Sequence, residues 1–255
     1  MTVATFLVVF MATGCTKTEE EEAPPTLDVV SEKITYDSVA RMGAHHAIAS
    51  ITQTERRSGE VTYSSAETIE IAWNSWESFH FQRTLDGEVT FEAIVHQGRS
   101  ATRSARSAWT NEFDGEAARL DVYTAWNAWD EALGTFIDRV GFEPLGPDTV
   151  DGRPAERFNV FLEPEEPNKN GRKKKRKVMT PTSLEGTVSL DSQTAVRLSA
   201  DVRGTTSKGT VERDTELKIR RSKIGQVQPI ESPPVQLGTA ADLLRKLPKR
   251  PNPQR

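Results

Sequence analysis

The chain has 255 residues, enough for one well-packed domain or two small ones, with 27% charged and 36% hydrophobic residues. A net charge of −4 carries no nucleic-acid signature, and a single cysteine excludes an intrachain disulfide and any cysteine-rich metal site. No run of 18 apolar residues exists, so no segment has the length of a transmembrane helix.

Residues 1–14 carry no charge, and 3–12 form an almost continuous apolar run. That is the length of a signal-peptide hydrophobic region and too short to span a bilayer. Ala12, Thr13 and Gly14 then precede Cys15, the one thiol. The pattern resembles a bacterial lipoprotein signal with its lipobox. It departs from that pattern at Ala12, where leucine is usual, and in lacking a positively charged start. The resemblance implies that 1–14 are removed and that Cys15 becomes an acylated first residue. Several acyl chains, at about 0.8 kcal/mol per buried CH₂, make a stable membrane anchor. Residues 15–35, with the run EEEEAPP, are acidic and proline-bearing, which suits a solvated tether. Thr16 stands where an aspartate would signal inner-membrane retention. The resemblance therefore implies an outer-membrane anchor, with the domain facing the periplasm or the cell surface.

The folded part is expected over 36–234. Val39, Met42, Ile48 and Ile51 have the spacing of a helix with one buried face, which predicts a helix over 36–57. The period then becomes two. Ile69, Ile71 and Trp73 predict one strand, Phe79, Phe81, Arg83 and Leu85 a second, and Val89, Phe91, Ala93 and Val95 a third. Asp86-Gly87 between the last two is a hairpin turn signal. Residues 100–109 alternate weakly and make a fourth candidate. Leu120, Tyr123, Trp126, Leu133, Phe136 and Val140 predict a helix over 116–140, weakened or kinked at Gly134 and ended by Gly141. The stretch 141–154 is expected to be a loop with a turn at Asp151-Gly152. Four further strands follow, around Phe158 to Leu162, Leu184 to Leu190, Val196 to Val202 and Val211 to Ile219, with turns at 191–193 and 204–209. Each is apolar on one side and charged on the other, as in an antiparallel sheet with one wet face. The tail 235–255 is basic and proline-rich.

About eight strands and two helices make an α+β fold. Two helices of ~10 Å diameter cannot cover a flat sheet whose strands are spaced ~4.8 Å apart. The sheet must therefore curl around them or leave an apolar gap. A gap predicts an apolar ligand; the alternative is a curled sheet filled by its own aromatic side chains.

Two motifs carry a family resemblance. One is VDGRPAERFNVFL, residues 150–162. The other is LEGTVSLDSQTAVRLSADV, residues 184–202, followed by a charged strand ending IGQVQPIESPP. They resemble the outer-membrane lipoprotein-sorting and carrier proteins, the LolA/LolB-like group and the LppX-like lipid-binding lipoproteins. The resemblance implies an unclosed antiparallel β-barrel of about eight strands, with helices over its concave face and a hydrophobic cavity for a lipid or acyl chain. It also implies that Asp191 and Thr194 form a turn with no catalytic role. The cavity wall is expected from Trp73, Phe79, Phe81, Phe91, Val160, Val188, Leu198 and Leu217, and its lid from Trp126, Leu133 and Phe136.

No catalytic residue, cofactor or metal site is expected. His45 and His46 are adjacent, a spacing that cannot converge on one metal from a helix. No nucleophile elbow or glycine-rich phosphate loop occurs. Arg83 shares the parity of its apolar neighbours and is expected to meet a lipid headgroup, Asp121 or Asp130. The basic run Arg172, Lys173, Lys174, Lys175, Arg176 and Lys177 suits either a solvated loop or contact with anionic headgroups. The function expected is a membrane-anchored lipoprotein that binds or carries a lipid or acyl chain, without enzyme activity. The other reading is an envelope scaffold with a filled core and no ligand.

Overall fold

The computed structural model describes residues 36–97, 99–112, 128–165 and 179–232. Cys15, the tether, Trp126, Asp121, the basic run 172–177 and the tail lie outside the described residues. A short helix, α1 (Tyr36–Met42), leads into β1 (His45–Arg57), β2 (Glu60–Ser75), β3 (Ser78–Leu85), β4 (Glu88–His96), β5 (Arg99–Ser104) and β6 (Thr110–Glu112). Then come α2 (Ala128–Leu133), a 3₁₀ segment (Gly134–Arg139) and β7 (Val140–Val150). The chain continues with β8 (Arg153–Leu162), β9 (Thr180–Asp191), β10 (Arg197–Lys208) and β11 (Val211–Ser222). All eleven strands form one antiparallel sheet in the order β6-β5-β4-β3-β2-β1-β11-β10-β9-β8-β7. Among the described residues the edges β6 and β7 do not pair, and the sheet is unclosed.

Three expectations are corrected. The predicted helix over 36–57 is helical only to Met42, and the rest is β1. Ala47, Ala49 and Ile51 alternate inward at period two while Ile48 faces out. The apparent helical spacing mixed two faces of a strand. β1 is central, pairing β2 on one side and β11 on the other, and ladder bonding outweighs local propensity there. Second, 141–154 is not a loop. Residues 140–150 form edge strand β7, where Pro144 and Pro147 are tolerated because a prolyl residue on an edge can leave its donorless side unpaired. The turn at Asp151-Gly152 is where it was expected. Third, the predicted helix over 116–140 is described only from Ala128. It gives way to 3₁₀ geometry at Gly134 and to strand at Val140. With β1, β6 and β7 added, eight expected strands become eleven.

The sheet curls, and α2 shows why it must. Glu131 on α2 accepts a hydrogen bond from Arg83 on β3 at 2.6 Å, while Trp129 on the same helix stacks with Phe142 on β7 at 6.2 Å. These strands are seven steps apart in the sheet order. Laid flat they would be separated by ~34 Å at ~4.8 Å per step. A six-residue helix is about 9 Å long. Only a strongly coiled sheet brings both walls within its reach. Register shifts in β1–β2, β2–β3, β3–β4, β7–β8 and twice in β9–β10 supply the local bends.

The two resemblance motifs lock to each other. Arg153, just after the Asp151-Gly152 turn, donates two hydrogen bonds to Asp191, at 2.7 and 3.0 Å. The Thr194 backbone N–H also donates to Asp191, at 3.0 Å. At Gly186, with φ +149°, the backbone of β9 lies hard against that of β10. A Cβ there would sit 2.2 Å from the Asp201 carbonyl oxygen. Gly186→Ala is therefore expected to destabilise the fold by about 1–3 kcal/mol, read as a lower urea midpoint at unchanged m-value.

Candidate functional site

The inner face of the sheet is the one against which α2 packs, at β1 and β11. Strand pairing carries one apolar ladder across six strands: Ile51, Leu217, Val202, Gly186, Val160 and Phe142. Beside it run Ala47, Ile71, Phe81 and Ala93. The opposite parity is polar. Arg203, Glu216 and Lys218 make ion pairs there, and His46 bonds Glu70 at 2.8 Å. The expected wall residues Trp73, Phe79, Phe81, Val160, Val188, Leu198 and Leu217 are all buried, and Phe91 packs on Phe81 at 5.8 Å. Leu133 of α2 and Phe136 of the 3₁₀ segment are buried in the same core. The Phe136 ring fills the space left by the missing side chain of Gly204, where a Cβ would come within 2.5 Å of it. Gly204 is thus a packing position inside β10 and not the start of a turn, which falls at Gly209-Thr210.

Among the described residues this lining is covered. Trp73, Phe79, Phe81, Val160, Val188, Leu198, Leu217, Leu133 and Phe136 are each at most 2% exposed. Two grooves of about 410 and 670 Å³ lie on the polar outer side, lined by residues such as Arg203, Asp214 and Glu216, and Asp201, Lys218 and Arg220. Neither is greasy enough for an acyl chain.

One end of the inner face carries charge that the sequence reading missed. His45, Arg197 and Arg221 are buried there, side by side on β1, β10 and β11. Arg221 Nε donates to the Arg197 carbonyl at 2.9 Å, and a terminal nitrogen of Arg221 donates to His45 Nε2 at 2.9 Å. His45 Nδ1 donates to the Gly43 carbonyl at 2.9 Å. A carbonyl only accepts, so the proton sits on Nδ1 and Nε2 keeps its lone pair for Arg221. Burial first, and the Arg221 charge second, push the His45 pKa down to about 3. Desolvation lowers Arg221 to about 9 and Arg197 to about 10. The Arg197 guanidinium lies 4.6 Å over the Trp129 ring, the cation–π contact by which α2 covers it. The signal for Arg221 was available: it shares the parity of Leu217 and Ile219. Arg197 gave none, because its parity is that of the outward Ser199; a register shift between the two turns it inward.

His45 and His46 lie on a strand and face opposite sides, and His80 bonds Glu92 at 2.8 Å on the outer face. Among the described residues no group of three or more His, Cys, Asp or Glu is placed to hold a metal ion. Arg83 is inward as its parity indicated, but its partners are Glu67 and Glu131.

Neither a family model nor a curated protein matches the sequence. Solved structures do. The chain is similar to proteins of the LolA and LppX kind. The lipoprotein LppX of Mycobacterium tuberculosis is 10% identical over 80% of this chain and 97% of its own, with a TM-score of 0.28. A LolA superfamily protein from Nitrosomonas europaea is 6% identical over 76% and 90%, with a TM-score of 0.23. The Pseudomonas aeruginosa MucA/MucB complex gives 16% identity over 84% of this chain and 62% of that one, with a TM-score of 0.28. At such scores the LolA/LppX likeness carries no argument about ligand or partner. Among the described residues, no helix is long and apolar enough to cross a membrane.

Proposed function

We propose that this protein is an envelope lipoprotein, anchored through Cys15, whose half-barrel domain over 36–234 binds or carries a lipid or acyl chain. Its lining is Trp73, Phe79, Phe81, Phe91, Val160, Val188, Leu198 and Leu217. Trp126, Leu133 and Phe136 serve as the lid, and the basic run 172–177 contacts anionic headgroups. One observation carries the reading: the apolar face of an eleven-stranded open sheet is matched, among the described residues, by helical segments of only seven, six and six residues. A short, separable cover over so broad an apolar face suits a ligand that takes the cover's place.

The lining is closed in this structure, so uptake requires α2 and the 3₁₀ segment to lift. The magnitudes permit it. Exposing Trp129, Leu133 and Phe136 costs about 1.5–3 kcal/mol per side chain, while burying a chain of about fourteen CH₂ groups returns about 0.8 kcal/mol for each. The same closure favours a second reading, an envelope scaffold with a filled core that binds a protein partner through its loops.

Gentle extraction from membranes followed by native mass spectrometry separates the two. A stoichiometric non-covalent lipid, besides an acyl mass on Cys15 that disappears in Cys15→Ser, is the expected result. A stable protein carrying only its covalent acyl chains supports the scaffold. Absence of any acyl mass on Cys15 overturns the anchor.

A further inference from the structure

Beyond β11 the chain turns back across the sheet. Lys223 and Gly225 bend it at positive φ, +53° and +78°, and the Gln226 N–H closes the bend on the Lys223 carbonyl at 3.0 Å. Residues 224–228 then run across the strand ends as a strap. The Ile224 N–H donates to Asp151 in the β7–β8 turn at 3.1 Å, and the Gly225 N–H donates to the Ala44 carbonyl, just before β1, at 2.7 Å. Asn74, near the end of β2, holds the backbone of Gln228 in both directions. Its side-chain oxygen accepts from the Gln228 N–H at 2.6 Å, and its nitrogen donates to the Gln228 carbonyl at 2.9 Å. Gln228 is buried, and Ile224 packs against the core. Along the sheet, β8 and β2 are five steps apart, ~24 Å if laid flat. Four residues of chain reach at most ~14 Å. The strap is therefore a chord across one end of the curled sheet, on its concave side. Asn74 stands between Trp73 and Trp76, whose rings are 4.7 Å apart, and Phe79 stacks on Trp73 at 5.7 Å, so the apolar lining runs up to the strap.

We propose that this strap is the shutter of a portal, and that the acyl chain enters the bowl at this end, between the strap and the corner of Trp73 and Trp76. Lifting α2 makes room inside; release of the strap opens the way in. The strap is bonded to two side chains and one loop carbonyl, and none of these is a ladder bond, so it can part while the strands stay paired. Residues 225–227 are exposed, and Gly225 supplies a hinge where the chain leaves β11. Exchange through such a shutter is limited by the fraction of molecules in which it is open. The inference rests on the lipid-binding function proposed above and gives it a route of entry.

The test follows cis-parinaric acid entering the delipidated full chain by stopped-flow fluorescence. Asn74→Ala removes both bonds to Gln228 and is expected to speed uptake and release about tenfold each, with the affinity held within about twofold. A lock is expected to do the reverse. Asn74→Cys with Gln228→Cys, in a Cys15→Ser background, is bridged by a short bis-maleimide; uptake then slows about tenfold or more, whereas capping the same two thiols with N-ethylmaleimide does not slow it. Circular dichroism melting checks that the variants are folded. Should the double variant not fold, the Asn74→Ala rates decide alone. Rates equal to those of the unaltered protein overturn the portal and leave lipid binding standing. Failure of the probe to bind the unaltered protein overturns both.

Discussion

Asp191→Ala is expected to lower stability by about 3–5 kcal/mol, the cost of leaving one member of a buried ion pair without its partner. Asp191 is fully buried. It accepts from both donors of the Arg153 fork and from the backbone N–H and the hydroxyl of Thr194, so its loss takes this acceptor from four donors at once. The damage extends beyond the pair. Arg153 then adds an unmatched charge at the end of the bowl where Arg197 and Arg221 are already buried, and Arg153 also acts on His45. Urea unfolding followed by tryptophan fluorescence gives the number. A loss below about 1 kcal/mol, the ordinary value for an exposed pair, would show that the two motifs do not hold each other. Arg153→Met in the Asp191→Ala background is expected to recover part of the loss, because it removes the stranded charge.

Phe136→Ala is expected to cost a comparable 3–5 kcal/mol or so, the usual range for emptying a buried phenylalanine site. The ring belongs to a 3₁₀ segment that has little helical stability of its own and relies on burial to stay on the sheet. Its partner across the gap is the absent side chain of Gly204. A reciprocal effect follows. Gly204→Ala alone forces the ring away and destabilises, whereas in the Phe136→Ala background the added methyl enters an empty space and is neutral or favourable. The coupling in this double-mutant cycle is expected at about 1–3 kcal/mol, measured by chemical unfolding of all four proteins. Additive costs would mean that the segment is not seated on β10 in solution.

The strands were legible where one face is wet. In β2, β8, β9, β10 and β11 polar and charged side chains alternate with Ile71, Val160, Val188, Val202 and Leu217, and these apolar side chains are buried on the inner face. The Asp-Gly turns were legible for a local reason, since Asp86-Gly87 and Asp151-Gly152 adopt the positive φ values that such pairs accept. What failed did so for non-local reasons. β1 lies between β2, its hairpin neighbour, and β11, more than 150 residues on, and it is the second pairing that sets His45–Arg57 in the middle of the sheet. β7 contains two prolines and two glycines and has no strand signature of its own. It is held as an edge by β8 alone.

By itself the sequence determined the buried face of the strands with one wet side, such as β2 and β11, because side-chain direction has period two. It also determined the two turn motifs, whose Arg153, Asp191, Thr194 and Gly186 are fixed by hydrogen bonding and close approach. Tertiary structure alone decided how far the sheet curls, since that is the sum of small twists and register shifts across eleven strands. It alone placed Arg197 inward, through one extra residue in a ladder. The buried arginines of this bowl thus come from both: Arg221 by the alternation of its own strand, Arg197 by a bulge whose position depends on the neighbouring strand.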